Sequence, residues 1–430
     1  MKTPDSVTTP DFASLGLAAP LLKALAGEGY TQPTPIQAQA IPQIRAGRDL
    51  LGIAQTGTGK TAAFLLPILD QLNAMAPLAG SGVKALILAP TRELAVQIGE
   101  AIGVYGRHLP FSHGVVCGGI PINRQIARLA RGVDLVVATP GRLLDLIQQR
   151  KIRLGQVRHL VLDEADRMLD MGFIRDVRKI VAALPRQRQS MLFSATMPEE
   201  IGRLAADMLD APVRVEVTPP ARTVARIAQS VMHVNGTDKR AILVHLLRDP
   251  AMTRVIVFTR TKRGANKVCE TLARSAIPAE ALHGNKSQPA RQRALAAFRD
   301  GTARVLVATD IAARGIDVDG ISHVINFELP NEAESYVHRI GRTARAGAEG
   351  IAIALCDASE RGYLKDIEKL TRQRLWVAPT PDFKPLALAP RESTPAKGGK
   401  ASRRDEARRP AKPQGQRRRW GKNAQARKAA

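Results

Sequence analysis

Ala54-Gln55-Thr56-Gly57-Thr58-Gly59-Lys60-Thr61 has the composition and spacing of a loop that wraps phosphate. Gly57 and Gly59 let the backbone turn its N–H groups toward anionic oxygens. A helical pattern over Ala62–Asn73 follows, and a helix N-terminus adds partial positive charge. Lys60 then reaches the outer phosphates, and Thr61 offers a hydroxyl to a divalent cation. Ala54 stands where the general pattern has its first glycine. A phosphate loop of this kind is paired with an acid at the end of another strand, and Asp163-Glu164-Ala165-Asp166 follows the apolar run Leu160–Leu162. Asp163 is placed to hold the cation, through water, and Glu164 to orient and deprotonate an attacking water.

These groups converge only if a scaffold brings them together. From Leu50–Ala54 to Met191–Phe193, short β-branched runs alternate with helical patterns, which predicts a parallel sheet covered by helices on both faces. The segment Val213–Arg226 breaks the rhythm with Pro219-Pro220 and reads as a linker. The alternation restarts at Val231–Val234 and continues to Ile351–Leu355. The fold class is therefore α/β, with two tandem domains of one plan and a cleft between them. The expected division is a flexible N-terminus at 1–11, a nucleotide-binding domain at 12–215, a linker at 216–226, a second domain at 227–380 and a disordered tail at 381–430. The polar clusters nearly all follow a strand, where open parallel sheets bind ligands.

Bulk properties narrow the function. A chain of 430 residues with 44% apolar and 24% charged residues belongs to the globular class. No apolar run approaches the roughly 20 residues of a membrane span, and the opening MKTPDSVTTPDF has no signal-peptide core. Cys117, Cys269 and Cys356 form no CxxC pair and read as buried thiols of a reducing cytoplasm. The net charge is +25, and residues 391–430 hold 14 Lys or Arg against 3 Asp or Glu. That balance points to a polyanionic partner or to a solubilising tail.

Taken together, Ala54–Thr61 and Asp163–Asp166 resemble the DEAD-box family of ATP-dependent RNA helicases, and the resemblance covers residues 12 to about 370. It implies two RecA-like domains, ATP and Mg²⁺ as the ligands of the loop, and RNA as the partner. The segment Tyr30-Thr-Gln-Pro-Thr-Pro-Ile-Gln37 with Phe12 upstream is similar to the family's Q motif. Adenine recognition then falls to Gln37 and base stacking to Phe12, with Tyr30 beside them. An amide can both donate to and accept from the edge of adenine.

The motifs that the family uses on RNA are Pro90-Thr91-Arg92-Glu-Leu-Ala, Gly118-Gly119, and Thr139-Pro-Gly141-Arg142. In the second domain they are Phe258-Thr-Arg260, Gln288 with Arg291, and Thr309-Asp310. These are helix-start amides, hydroxyls and guanidinium groups, which grip phosphate without reading bases. Ser194-Ala-Thr196 matches the segment that couples hydrolysis to strand separation, through Asp166 and the second domain. By the same resemblance Asp317 meets the ribose, and His338 joins the coupling set. Arg342 and Arg345 cross to the γ-phosphate as arginine fingers, and their spacing of three places both on one helix face. Ala344 replaces a glycine common in the family, a change expected to be silent. Val257–Asn266 and the short basic tail look like the RhlE-type bacterial helicases.

The expected activity is RNA-stimulated ATP hydrolysis that locally unwinds short duplexes. Alternatives are an ATP-gated clamp or annealing factor and, from another class, a DNA translocase. A cytoplasmic monomer acting on RNA, with ribosomal or RNA-decay ribonucleoproteins among its settings and no membrane association, completes the expectation. Removing residues 385–430 is expected to weaken RNA binding and flatten its salt dependence, since each lost phosphate contact removes counterion release. A titration of truncated and full-length chains at several salt concentrations checks this, and identical curves would leave the tail as a solubiliser.

Overall fold

The computed structural model describes residues 11–381 apart from 56, 76–81, 218–226, 311–317, 319 and 345–348. Thr56, Asp317 and Arg345, the linker from 218 to 226, residues 1–10 and the tail from 382 onward lie outside the described residues.

The first sheet is built from β1 (Leu50–Ala54), β2 (Ala85–Leu88), β3 (His113–Val116), β4 (Leu135–Ala138), β5 (His159–Leu162), β6 (Gln189–Ser194) and β7 (Val213–Val217). The second contains β8 (Ile227–His233), β9 (Val255–Phe258), β10 (Ala279–Leu282), β11 (Val305–Ala308), β12 (His323–Asn326), β13 (Gly350–Cys356) and β14 (Trp376–Val377). Their spatial orders are β3-β4-β2-β5-β6-β1-β7 and β10-β11-β9-β12-β13-β8-β14. The second order is the first advanced by seven strands. All pairings are parallel, with Leu86 opposite Leu160 in the first sheet and Ile256 opposite Val324 in the second. The fold is thus two tandem RecA-like lobes.

A parallel sheet covered on both faces needs strands that are apolar throughout. Ala-Leu-Ile-Leu in β2, Leu-Val-Val-Ala in β4 and Val-Ile-Val-Phe in β9 meet this, and every residue in them is buried. One face of the first sheet packs on a cluster that includes Ile36, Ile41, Phe64 and Phe193, the other on Leu146, Met168, Ile180 and Leu204. Helices start just past the strands under side-chain caps. Thr91 accepts from Leu94 N, Thr261 from Gly264 N and Ser287 from Ala290 N. No helix among the described residues is long and apolar enough to cross a membrane.

Two expectations need correction. The segment expected to be linker from Val213, and assigned as linker from 216, begins with β7. This strand pairs with β1 from Leu50↔Val213 to Ala54↔Val217. Its alternation of Val with Arg214 and Glu216, which form an ion pair at 2.8 Å, is that of an edge strand with one solvated face. At the far end, β14 adds a two-residue strand beside β8. Ala344 has φ +55° and is buried, so the alanine is not silent. Its Cβ crowds the following carbonyl in the left-handed region, which glycine enters freely.

Ala344→Gly is accordingly expected to raise stability by about 1 kcal/mol, somewhat offset by the freer unfolded chain. An upward shift of the urea midpoint checks this, and an unchanged or lower midpoint contradicts it.

Candidate functional site

The phosphate loop leaves β1 and enters the helix Lys60–Ala74, with Gly59 at its N-cap in a left-handed conformation, φ +91°. Gly59 also lies under the segment identified with adenine recognition. A Cβ there would come within 2.5 Å of Gln37 Nε2 and 2.9 Å of Thr34 Oγ1. Gln37 donates from Nε2 to Gly59 O at 3.1 Å and accepts from Thr34 N at 2.9 Å, the latter as part of a capping box. One amide thus fixes its own helix start and the phosphate loop together. Thr58 Oγ1 closes the loop on Gln55 O at 2.8 Å, and Lys60 Nζ donates to Ala54 O at 2.8 Å. Phe12 is 5% exposed and packs within the first-lobe core. Tyr30 is exposed and meets Tyr105 edge-on at 6.2 Å.

β5 delivers the acids. Asp163, Glu164 and Asp166 are all buried, and each sits differently. Asp163 Oδ1 has no hydrogen-bond partner among the described residues. Burial pushes its carboxyl up to about 7, opposed by the nearby Lys60 charge and reinforced by Glu164. Glu164 has φ +54°, a strained backbone for a side chain of this size, and its Oε2 pairs with Arg167 Nη1 at 2.8 Å. Asp166 Oδ2 accepts from Ala195 N, Thr196 N and Thr196 Oγ1 at 3.2, 3.0 and 3.1 Å. Ser194 Oγ accepts from Asp166 N at 3.2 Å and donates to Thr196 O at 2.7 Å. Among the described residues, the hydrogen bonds of Ser194 and Thr196 stay within the first lobe. They weld the end of β6 to the end of β5.

The two lobes meet through charged groups. Glu93, buried at the start of the helix Arg92–Tyr105, receives Arg291 Nη2 at 2.7 Å and Gln288 Nε2 at 3.2 Å from the second lobe. Gly119, at φ +77°, lies between Arg92 and Gln288, and a Cβ there would stand 3.1 Å from Gln288 Cβ. Gln288 and Arg291, expected as RNA contacts, are thus engaged on Glu93. A second meeting point is a pocket lined by Arg167 of the first lobe and by Phe258, Asp310, Ser335, His338, Arg339 and Arg342 of the second. Arg339 is held by Asp310 through both oxygens at 2.6 and 2.7 Å and lies over the Phe258 ring at 5.0 Å. Arg342 is buried, with Nε on His338 O at 3.2 Å.

The remaining expected contacts are spread along strand ends. Pro90, Thr91 and Thr139 are buried at helix starts, with the Thr91 hydroxyl used as a cap. Gly141 has nothing within 4 Å of where a Cβ would be, an open approach to helix-start amides. Arg142 donates to Ile120 O at 3.0 Å. Arg260 binds Glu360 at 3.2 Å and lies over Tyr363, while Thr309 is buried after β11. Sequence reasoning quoted Glu93 and Arg339 inside motifs without giving them roles, and it passed over Arg167. The signal for Arg167 was its i,i+3 spacing from Glu164, which puts opposite charges on one helical turn.

Residues 34–204 match the family model of DEAD/DEAH box helicases, and residues 238–347 that of the helicase conserved C-terminal domain. The chain is 43% identical over 373 residues to the DEAD-box ATP-dependent RNA helicase CshA of Bacillus cereus, covering 86% of this chain and 70% of that protein. For the CshA of Geobacillus kaustophilus the identity is 44% over 369 residues, with coverages of 85% and 77%. Among solved structures, S. cerevisiae Dbp5 bound to RNA and ADP BeF3 is 32% identical at a TM-score of 0.77, covering 86% of this chain and 96% of that one. Mss116p bound to ssRNA and AMP-PNP is 27% identical at a TM-score of 0.80, with coverages of 89% and 82%.

The Asp163 carboxyl yields a signed expectation. Its folded value near 7 lies above the ordinary 3.8, so the folded protein keeps that proton longer than the unfolded chain. Its contribution is fully present below pH ~4 and is lost as pH rises toward ~7. Without divalent cation or nucleotide, the chain is therefore expected to lose a few kcal/mol relative to Asp163→Asn across that window. Urea unfolding of both proteins at pH 4.5, 6 and 7.5 measures it, and a constant difference would mean Asp163 is ionised throughout.

Proposed function

This chain belongs to the DEAD-box family of ATP-dependent RNA helicases, and we propose that its ATP site is split between the lobes and completed only when they close on RNA. It is an ATP-hydrolysing enzyme whose partner is RNA. The observation that carries the split-site reading is the shared pocket. Arg342 and His338 line the same cavity as Arg167, whose other partner is Glu164. Solved relatives that hold RNA together with a nucleotide analogue support the same reading.

In this reading the first lobe, residues 12–215, binds ATP. Gln37 recognises adenine, and the loop Gln55–Thr61 cradles the phosphates. Lys60 exchanges the Ala54 carbonyl for phosphate oxygens. Thr61 and Asp163 would hold Mg²⁺, which the buried, unpartnered Asp163 Oδ1 suits, and the ion supplies neutralisation of phosphate charge when bound. Glu164 orients the attacking water and takes its proton. The second lobe, residues 227–380, brings Asp317 to the ribose and Arg342 and Arg345 to the γ-phosphate. Phosphoryl transfer asks little covalent help of the protein, so positioning and charge carry most of the rate.

RNA lies across both lobes on the helix starts at Arg92, Gly141 and Arg142 and on Arg260 and Thr309. A strand gripped in this way leaves A-form geometry, which opens a short duplex locally. Release of phosphate removes the charge that drew Arg342 inward, and the lobes part. The finer assignments are a cytoplasmic monomer that works on ribosomal or RNA-decay ribonucleoproteins. Val257–Asn266 and the basic tail support an RhlE-type subtype, while the curated relatives carry the name CshA.

ATPase rates with and without RNA test the proposal in Lys60→Ala, Glu164→Gln, Arg342→Ala and Arg345→Ala. Each is expected to lose RNA-stimulated turnover by at least about a hundredfold. Undiminished stimulated turnover in both arginine variants would sink the split site. A duplex-unwinding assay on the unaltered chain separates helicase work from clamping.

A further inference from the structure

We propose that Trp376, flanked by Arg372 and Arg374, is a second single-stranded RNA contact, a stacking platform at the outer edge of the second sheet where the basic tail begins. The proposal rests on RNA being the partner.

Trp376 is 66% exposed, the most exposed large apolar side chain among the described residues, and Arg372 and Arg374 beside it are exposed too. A single exposed leucine would need no explanation, but an indole buries more apolar area than any other side chain and is seldom left open. The position is also held firmly. Leu375 and Ala378 on either side are buried, Leu375 N donates to Glu368 Oε1 at 3.1 Å, and Ala378 N donates to Val231 O at 2.9 Å. The ring is therefore presented from a fixed backbone rather than from a loose end.

The chain's use of tryptophan points the same way. It has two, and each ends an arginine-rich run: Arg372-Gln-Arg374-Leu-Trp376, and Arg417-Arg418-Arg419-Trp420 in the tail. Guanidinium groups next to an aromatic face match a nucleotide, since every base has a π-face and every linkage a charge. An added protein strand suits this edge poorly. β14 has two residues, and Pro379 and Pro381 follow it, which limits the ladder a partner could continue.

The test uses the full-length chain and a single-stranded oligo(U) 20-mer. In a Trp420→Phe background Trp376 is the sole indole, and its fluorescence is expected to quench as the oligonucleotide binds. Trp376→Ala is expected to weaken oligo(U) affinity about tenfold, while Trp376→Phe, which keeps an aromatic face, stays within about twofold. Basal ATPase and turnover at saturating RNA should match the unaltered chain in both variants, because the residue lies outside the nucleotide site. Unquenched fluorescence together with unchanged affinity in Trp376→Ala would overturn the proposal and leave the patch to a protein partner. If the unaltered chain shows no RNA-stimulated ATPase, the fault lies in the underlying helicase reading.

Discussion

The site depends on a buried carboxylate that the described residues leave partly unsatisfied. Asp163 lies at the end of a strand with both faces covered, and its Oδ1 has no donor among the described residues. The neighbouring Lys60 is close enough to lower the carboxyl's affinity for protons, yet its ammonium is bonded to the Ala54 carbonyl. An acid and a base in one buried site, each incompletely matched, form a cleft prepared for a charged ligand. Glu164 adds backbone strain at the same point. The ion pair to Arg167 and the bonds that fix Asp166 to the end of β6 hold that strained turn in place. The acids are therefore positioned before any ligand arrives, which is what rate enhancement by preorganised charge requires.

The second constraint is that like charges face one another between the lobes. Arg167, Arg339 and Arg342 line one pocket, and among the described residues Asp310 is the acid on its wall. Arg339 is matched by Asp310 and Arg167 by Glu164, so two of the guanidinium groups on this wall are held in place by acids of their own lobes. In the proposed reading, closure brings these arginines toward the polyphosphate held by the first lobe. Contact through Glu93 with Arg291 and Gln288 works at another point of the seam, beside the helix starts read as RNA grips. Two ligands that each prefer the joined lobes must tighten one another's binding.

Much of this was legible in the sequence because the chemistry was local. The phosphate loop, the acids after β5 and the all-apolar strands announce themselves within a few residues. What was missed depends on backbone angles or on distant partners. β7 alternates valine with charge just ahead of a Pro-Pro pair, so its turn-like flank concealed an edge strand. Ala344 looks harmless as a residue type, and only its φ of +55° shows the strain. The pairing of Gln288 and Arg291 with Glu93 was not legible, because Glu93 lies some 195 positions away in sequence. The burial of Phe12 in the first-lobe core was likewise not visible from the motif.

Identical strand order in the two lobes raises the question of why only the first has a phosphate loop. The position after β8 that corresponds to Ala54–Lys60 after β1 is Val234-Asn-Gly-Thr-Asp238-Lys239, and Lys239 starts a helix as Lys60 does. Asp238 stands directly before this lysine, where the first lobe has Gly59 in a left-handed turn. Lys239 is 3% exposed and pairs with Glu360 and with Asp357, the latter at 3.1 Å. Glu360 is fully buried and also accepts from Leu329 N and from Arg260. Internal carboxylates thus meet the lysine charge that phosphate would meet in the first lobe. The same network fixes Arg260, one of the residues read as an RNA grip. Duplicating the topology gave both lobes a lysine at a helix start; the charges placed around it leave one open to a ligand and commit the other to holding the fold.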